Sequence, residues 1–324
     1  MKLTAKLLTP LVALIIIGLM ASTLVAFLSA KNGLEKTIND QINQLSQSTA
    51  SKINTWLARN RLDIDTWSKM DVITKSLESD DTQGFRTTAS ARMKEYIDTH
   101  KVFNGMRVTN DQGLVIASSH AKNIGKVNVS SRNYFKRSMN GEIHISDPLV
   151  SKTSGKPIMV ISSPIKAQDQ IKGILYAVVD LGKFTQNHID HVKVGKTGYV
   201  YVMNQDGKTL AYPPDTGQIM KLDLSQFDFG KKILDMKNGI LTYEYQGVKK
   251  LAGFRQEPLT GWIVTAVAPN SEVFEAADRI RNQLIVIGGV ITAVLVICIV
   301  LLVSVFVVKP LNQVIEGLKD IAQG

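Results

Sequence analysis

The feature that most constrains this chain is an uncharged apolar run close to its C-terminal end. The run extends from Leu284 to Val308 and reads LIVIGGVITAVLVICIVLLVSVFVV. A helix needs about 20 apolar residues to cross a hydrocarbon core, so this run is long enough to span a membrane. Arg281 precedes it and Lys309 follows it, which marks both membrane faces with charge. The alternative is a core helix of a soluble protein, but such segments are usually about 10–14 residues long.

A second apolar run, Leu7–Leu28, lies near the N-terminus and follows Lys2 and Lys6. It is similar to a signal peptide, but it is too long for the usual apolar region and the cleavage pattern behind it is weak. We therefore predict a cytoplasmic N-terminus at residues 1–6 and an uncleaved anchor helix at residues 7–30. The two spans would bracket one large loop and leave both chain ends on the same side.

Charge and cysteine content indicate which partners suit the chain. The formal net charge is +10, which favours contact with anionic lipid or anionic ligands. The single cysteine, Cys298, lies inside the second span, so the large loop has no disulfide. No basic tract or aromatic RNA motif indicates nucleic-acid binding. No Gly-rich phosphate loop or catalytic arrangement indicates an enzyme. Positive charges are nearly balanced across the spans, so charge alone leaves the orientation open.

The segment after the first span has the pattern of a long amphipathic helix. Its apolar residues recur in steps of mostly three and four: Leu34, Ile38, Ile42, Leu45, Ile53, Trp56, Ile64 and Trp67. A helix over residues 31–68 would be about 55 Å long and would continue the first span as a stalk. Its apolar stripe requires a partner, either the domain that it supports or a second copy of the chain.

The patterns that follow predict two α+β modules in tandem. An amphipathic segment at residues 85–98 precedes MRVTNDQGLVIAS, a hairpin candidate with its turn at Asn110–Gly113. The stretch GKTGYVYVMNQDGKTLAYP begins at Gly195 and repeats that arrangement at a spacing of about 90 residues. We predict a membrane-distal module at about 85–182, a membrane-proximal module at about 183–270 and an exit helix at 271–282.

The segment after the second span, residues 309–324, reads KPLNQVIEGLKDIAQG. Four apolar residues fall at the 3-4-3 spacing of a coiled-coil seam: Leu311, Val314, Leu318 and Ile321. Pro310 is expected to bend or end the helix that leaves the membrane. A helix as short as this one is not stable alone in water, so the seam predicts a partner helix.

Five stretches, in this order around two spans, form a specific set. The first module carries SSRNYFKRSMNGEIHISDP and GILYAVVDL, and the second carries GKTGYVYVMNQDGKTLAYP and GWIVTAVAPNSEVF. The last stretch, KPLNQVIEGLKDIAQG, is similar to the first helix of a HAMP module. Together they resemble the N-terminal sensing half of a methyl-accepting chemotaxis protein with a double Cache periplasmic domain. The resemblance covers the whole chain and implies a tandem PAS-like α+β domain with a long stalk helix, flanked by two transmembrane helices.

The resemblance also implies a function. Such a receptor is a homodimer in the bacterial inner membrane with its sensor domain in the periplasm, and it binds an amino acid or a small carboxylate or sulfonate. It signals through HAMP to a methyl-accepting domain and to CheA/CheW-type partners, which would lie beyond residue 324. Neither a cofactor nor an enzymatic activity is expected. Histidine kinases and diguanylate cyclases use the same input half, and they remain the alternative.

The candidate ligand site lies in the first module. Arg132 supplies a guanidinium beside the aromatic residues Tyr134 and Phe135, and Asp180 ends a strand further along the chain. An arginine fork binds a carboxylate, a carboxylate accepts from an ammonium group, and aromatic rings cover the rest of a small ligand. These four residues match in kind the motif of amino-acid-binding Cache receptors. Arg107, on the first strand, would add a second positive group.

The chain departs from that motif at three positions. Val127 stands where those receptors carry a tyrosine, Leu149 is near a second tyrosine position, and Ser151 is near an aspartate position. These changes keep the groups that capture an anion and remove partners of the ammonium group. Ser151 is retained as a predicted ligand contact because of its place in the motif.

Other interpretations of these residues remain open. Arg132 and Asp180 would also fit a purely structural salt bridge. His188 and His191 are expected on one helix at a spacing seen in metal sites, but no carboxylate or cysteine cluster accompanies them, so no metal site is predicted. If the first module holds no ligand, the next candidates are the tyrosines of the second module, Tyr199, Tyr201 and Tyr212.

Overall fold

A computed structural model of the protein describes residues 3–78, 83–310 and 313–314. The chain divides into two compact units. Residues 40–270 form the central unit, and the terminal unit consists of the two end segments, Met1–Asn39 and Ser271–Gly324.

Two long helices make up the terminal unit. Helix α1 runs without interruption over Leu3–Ser68, so its second half belongs to the central unit. The last helix, α7, covers Asn270–Val303 and continues as a π-helical segment to Val308. Ala13–Ser68 and Asn270–Val308 each contain a window that is apolar enough and long enough to cross a membrane, and neither window is buried. These helices fit both predicted spans, and the predicted exit helix is simply the first part of α7.

The predicted HAMP segment falls mostly on residues that are not described. Val314 is helical. Leu311, Leu318 and Ile321 lie outside the described residues, so the coiled-coil seam and the HAMP assignment stay predictions.

The second half of α1 buries one face in the central unit. Buried positions recur in steps of three and four: Ile42, Ser46, Thr49, Ile53, Leu57, Asn60, Ile64 and Ser68. Ile42, Ile53 and Ile64 of the predicted stripe belong to this face. Trp67 lies at its edge and packs edge-on against Tyr96. The central unit itself therefore covers these stripe residues, which settles the choice between domain and second copy for this part of the helix.

The first module contains three helices and a six-stranded sheet. Its elements are α2 (Asp71–Lys75), α3 (Phe85–His100), β1 (Gly105–Asn110), β2 (Val115–Ser118), α4 (Asn133–Met139), β3 (His144–Ile145), β4 (Leu149–Val150), β5 (Pro157–Ala167) and β6 (Gln170–Asp180). The strands are antiparallel in the order β2-β1-β6-β5-β3, and β4 also pairs with β5. Strands β5 and β6 are the longest, and their alternating side chains supply both faces of the module.

The second module repeats this plan. Its elements are α5 (Leu181–His188), β7 (Lys193–Val194), β8 (Gly198–Met203), β9 (Thr209–Ala211), α6 (Asp228–Met236), β10 (Gly239–Tyr245), β11 (Val248–Gln256) and β12 (Ile263–Pro269). Its antiparallel sheet has the order β10-β11-β12-β8-β7, and β9 pairs with β8. In both modules the first strand of the opening hairpin lies beside the last strand. The predicted tandem of α+β modules is confirmed.

The turns of the two opening hairpins show the repeat at atomic detail. Gly113 has a φ of +76°, and a Cβ atom placed on it would lie 2.6 Å from the backbone nitrogen of Ser130. Gly207 has a φ of +88°, and its Cβ atom would lie 2.7 Å from the backbone nitrogen of Ser225. Only glycine fits either position without strain, because both the left-handed conformation and the close approach exclude a side chain.

The two faces of the first sheet have different partners. Tyr176 and Val178 belong to an apolar cluster that includes residues of α4. On the opposite face, Ser163 Oγ lies 3.1 Å from Ser68 Oγ and donates to Asp65 Oδ1 at 3.2 Å, so that face contacts α1. The face beneath α4 is therefore the one on which a ligand cavity can form.

Candidate ligand-binding site

A small cavity lies between the first sheet, α4 and the segment around β4. The volume open to a water-sized sphere is about 20 Å³, which is room for about one water molecule. Four of the six predicted site residues line it: Arg107, Arg132, Tyr134 and Ser151. The remaining lining residues are mostly apolar: Val127, Val129, Leu149, Lys152, Thr153, Ile158, Val160, Tyr176 and Val178. The sheet, the helix and the covering segment thus bring these four residues together, and their role in binding a ligand stays a prediction.

Arg107 is the most deeply buried charge of the cavity, with 9% of its surface exposed. It lies on β1 directly opposite Tyr176 of β6, and its guanidinium carbon is 5.6 Å from the centre of that ring. With the Asn123 amide oriented so that its oxygen faces the arginine, that oxygen accepts from Nε and Nη2, each at 3.1 Å. Arg107 is therefore held by a neutral oxygen and a ring, and its charge is not balanced by a carboxylate in the described part of the chain.

Two tyrosines meet next to this arginine. The rings of Tyr134 and Tyr176 have centres 5.4 Å apart. The Tyr176 hydroxyl is buried next to the Arg107 guanidinium and the Tyr134 hydroxyl, and it makes no hydrogen bond of good geometry to a described residue. Burial raises the pKa of both hydroxyls, so each stays protonated and can donate a hydrogen bond. An unpaired buried hydroxyl costs free energy, and a polar ligand atom would remove that cost.

Arg132 forms a hydrogen bond to the segment that covers the cavity. It is the N-cap residue of α4, and its Nη2 donates to the carbonyl oxygen of Val150 at 3.1 Å. Lys152 holds the same segment with a second hydrogen bond, in which its Nζ donates to the carbonyl oxygen of Asn128 at 3.1 Å. Ser151 Oγ accepts from the backbone N–H groups of Thr153 and Ser154 and shapes the turn. The residues after β4 therefore cover the cavity. We call Ser151, Lys152 and Thr153 the covering segment.

The other two predicted residues do not line the cavity. Phe135 is buried in the apolar cluster beneath α4. Asp180 ends β6, and its Oδ1 accepts from the backbone N–H groups of Gly182 and Lys183, which caps α5. Asp180 Oδ2 is 3.5 Å from the Asn104 amide nitrogen. The salt bridge between Arg132 and Asp180 that we considered is not formed, and a ligand role for Asp180 stays a prediction.

Tyr176 is the site residue that sequence analysis missed. It lies in GILYAVVDL, in the buried part of β6, with apolar neighbours on both sides. A tyrosine in the middle of a buried strand needs a partner for its hydroxyl, and that requirement was the available signal.

Comparison with known proteins identifies the domain that carries this cavity. Residues 30–277 match the family model of the Cache domain of the dCache_1 type. The chain belongs to the Cache-domain family. Along its full length it is 22% identical, over 328 residues, to the methyl-accepting chemotaxis protein McpA of Bacillus subtilis, of which it covers 47%. The chain thus spans about half the length of this curated relative, and it corresponds to the N-terminal sensing region of methyl-accepting chemotaxis proteins.

Solved structures show the same fold as this Cache domain. The ligand-binding domain of Mlp24 with asparagine has a TM-score of 0.58 and 18% identity, covering 77% of this chain and 99% of that domain. The extracellular domain mmHK1S-Z3, assigned to a histidine kinase, has a TM-score of 0.60 and 16% identity, covering 75% of this chain and 98% of that domain. At these identities the likeness concerns the fold.

The second module of this Cache domain also contains clustered tyrosines. Lys250 packs against Tyr199 and Tyr245, and its Nζ lies 5.3 and 5.4 Å from the centres of the two rings. Burial lowers the pKa of Lys250. Burial also raises the pKa of Tyr201 to about 12, and its buried hydroxyl lies next to the side chains of Thr265 and Tyr243. Lys250 therefore occupies the space against these rings.

The histidines with metal-like spacing lie apart from both tyrosine clusters. Helix α5 ends at His188, so the expectation that His188 and His191 share one helix is wrong. The His188 ring packs against Trp56 and Phe184 at centre distances of 5.1 and 5.2 Å. Among the described residues, no group of three or more His, Cys, Asp or Glu side chains could hold a metal ion.

Proposed function

We propose that the first module of this Cache domain binds a small amino acid or a related carboxylate. One observation carries the proposal. Arg107 and Arg132 line the same cavity, Arg107 as a buried side chain and Arg132 as a partly exposed one. Each donates to a neutral oxygen of the protein instead of a carboxylate. Two guanidinium groups without acidic partners create a strong demand for an anion at this place. The unpaired Tyr176 hydroxyl adds a donor to the same space.

The closed cavity suggests how the ligand enters. Its volume of about 20 Å³ is far below that of an amino acid, so the segment after β4 has to move outward. A ligand carboxylate then replaces the Val150 carbonyl oxygen as the acceptor of Arg132. The charge-assisted bond is stronger than the bond to a carbonyl, which favours the exchange. Ligand binding would thereby be coupled to the positions of the covering segment and of α4.

The amino group of the ligand has fewer partners than the carboxylate. Asp180 is the predicted acceptor, and its Oδ2 has only the long contact to Asn104. The sequence departures at Val127 and Ser151 remove two further groups that the motif supplies. A simple carboxylate or sulfonate therefore competes with an amino acid as the ligand class. Mlp24, whose ligand-binding domain is solved with asparagine, supports the amino acid.

In the proposed whole protein, the module is the input of a chemotaxis receptor. Support comes from the two candidate spans and from the methyl-accepting relative that matches the full chain. We place the sensor unit in the periplasm and the spans in the inner membrane. The receptor forms a homodimer, and a HAMP module and CheA/CheW-type partners follow beyond residue 324. The alternative is the input half of a histidine kinase, which the likeness to mmHK1S-Z3 favours, or of a diguanylate cyclase.

Arg132→Ala tests the site. If Arg132 is the desolvated partner of a ligand carboxylate, its loss should cost about 2–5 kcal/mol of binding free energy. That corresponds to a Kd that is roughly 30-fold weaker or more. Calorimetry on the full chain in nanodiscs, with ligands first selected from amino acids and simple carboxylates by thermal shift, measures this change. Lys136→Ala is the matched control, because Lys136 is an exposed cation on the same helix.

Asp180→Asn separates the two ligand classes. Asparagine is an equally good helix cap, so the fold should tolerate the change while the negative charge disappears. Binding of an amino acid should fall strongly, whereas binding of a simple anion should stay equal or improve. If the best ligand binds the folded Arg132→Ala protein as tightly as the wild type, the ligand does not bind here, and the second module becomes the candidate.

A further inference from the structure

A second and much larger cavity lies at the junction of the two modules. Its volume is about 360 Å³, enough for a small organic or inorganic ion. Three separate parts of the central unit line it: α1, the segment from α4 to β4, and the turn between β11 and β12. The residues used below are Arg61, Arg137, His144, Asp147, Thr260 and Trp262. We call this space the junction cavity.

The charges of the junction cavity are incompletely paired. Arg61 of α1 makes no ion pair or side-chain hydrogen bond in the described part of the chain. Arg137 of α4 uses Nη1 for an ion pair with Glu142 at 2.9 Å, which leaves its other donors available. Asp147 is the acidic residue of the lining, and Glu142 already pairs with Arg137, so Arg61 is the guanidinium group of the lining without an acidic partner among the described residues. An oxyanion in the cavity would supply that partner.

His144 is partly buried among charges of both signs. Burial lowers the pKa of its imidazole first, and the Arg137 guanidinium lowers it further. Arg61 acts in the same direction, while Asp147 and Glu142 oppose it. The buried Nε2 of His144 has no hydrogen-bond partner among the described residues. The two guanidinium groups therefore act on the same volume, although they come from elements that are far apart in the sequence.

We propose that the junction cavity is a second binding site, which takes a small oxyanion such as a carboxylate or a phosphate. Arg61 and Arg137 would hold the oxyanion from two sides, as guanidinium groups do in anion sites. The ion would bridge the stalk helix and α4, and the turn at Thr260 and Trp262 closes the cavity from the second module. Arg137 lies on α4, and Arg132 is the N-cap residue of the same helix. An ion bound in the junction cavity would therefore hold the helix next to which the first-module site lies.

Titration of inorganic phosphate into the full chain tests this site. The protein is placed in nanodiscs of zwitterionic lipid, so that lipid headgroups supply no net negative charge, and sodium chloride of matched ionic strength is the reference. A parallel titration with succinate distinguishes a carboxylate from a phosphate. We expect phosphate or succinate to raise the melting temperature beyond the chloride reference. Arg61→Gln should weaken the apparent Kd about tenfold or more, since one charged hydrogen-bond partner is lost.

Arg59→Gln is the matched control. It removes the same charge from an exposed position of the same helix, two residues away, and should leave the apparent Kd unchanged. Equal losses in Arg59→Gln and Arg61→Gln would show only general screening of charge and would overturn the site. A melting temperature that follows chloride in both titrations would overturn it too.

A direct readout does not depend on the stability of a variant. Bound oxyanion stabilises the imidazolium form, so the His144 resonances followed by NMR should titrate at a higher pH in phosphate than in chloride. An unchanged His144 titration would contradict the proposal. The first-module ligand site is tested separately in buffer without phosphate or succinate, where Arg61→Gln should leave ligand binding at Arg132 intact. Failure of one site thus leaves the other unaffected.

Discussion

At the scale of single residues, the first-module site is defined by charges without counter-charges. Arg107 donates to the Asn123 amide oxygen and Arg132 to the Val150 carbonyl oxygen, both of which are neutral. A buried guanidinium bonded only to neutral oxygens keeps most of its capacity to bind an anion. In contrast, some exposed cations of the central unit, such as Lys94, pair with a carboxylate one helical turn away.

Partly buried histidines predict how stability depends on pH. Burial lowers the pKa of His188, which packs against Trp56 and Phe184, and burial also lowers the pKa of His120 and His144. The unfolded chain, with an ordinary pKa near about 6.5, therefore binds protons more readily than the folded chain. The stabilisation is complete above that pH and is lost as the pH falls through it. We expect the melting temperature to decrease between pH 7.5 and pH 5.5.

His188→Phe tests the contribution of one histidine. Phenylalanine keeps a ring between Trp56 and Phe184 but cannot take up a proton. The variant should be as stable as the wild type at pH 7.5 and should lose less stability at pH 5.5, as measured by melting curves across this range. A slope equal to that of the wild type would show that His188 does not contribute.

At the scale of elements, strand β5 connects the ligand face with the stalk face of the first module. Adjacent residues of a strand point to opposite faces, and Ser162 and Ser163 are such a pair. Ser162 Oγ accepts from Ser138 of α4 at 2.8 Å, so it holds the helix above the cavity. Ser163 Oγ contacts Asp65 and Ser68 of α1 on the other side. A displacement of α4 can therefore be transmitted to α1 through strand β5.

Removing the contact between β5 and α1 should destabilise the central unit. Ser163 is completely buried, so Ser163→Ala should lower the free energy of unfolding by about 1 kcal/mol or more through the lost hydrogen bond. Denaturant unfolding of Ser163→Ala, Asp65→Asn and the double variant forms a thermodynamic cycle. We expect a coupling energy of about 0.5 kcal/mol or more, because the two side chains bond directly. Strictly additive effects would show that the bond does not stabilise the packing.

At the scale of the whole molecule, topology decides whether the sensor unit meets solutes outside the cell. Candidate spans precede and follow the central unit. We expect an alkaline phosphatase fusion at Gly217, in an exposed turn, to be active in a bacterial host. The same fusion after Gly324 should be inactive, because this enzyme requires export. A Gly217 fusion that lacks residues 3–30 is the control and should lose its activity. The opposite pattern of activities would contradict the proposed periplasmic location.

The sequence by itself determined those features that depend on neighbouring residues. Apolar length was enough to find the spans, because a membrane-crossing helix satisfies its backbone hydrogen bonds internally. Steps of three and four residues were enough for the stalk, and the turns at Gly113 and Gly207 revealed the repeated hairpin, because both signals are local. The motif around Arg132 and Tyr134 predicts a ligand site in the first module, and both residues line the small cavity there.

Only the tertiary structure decided which side chains meet across long stretches of sequence. Asp180 caps α5, because the end of β6 continues directly into that helix. Tyr176 of the same strand lines the cavity, and Asp180 does not. The junction cavity joins Arg61 and Arg137, since α1 packs beside both modules. The free energy of such contacts depends on distance, burial and dielectric surroundings, and these arise only when the sheets have packed. Sequence order carries no local signal of them.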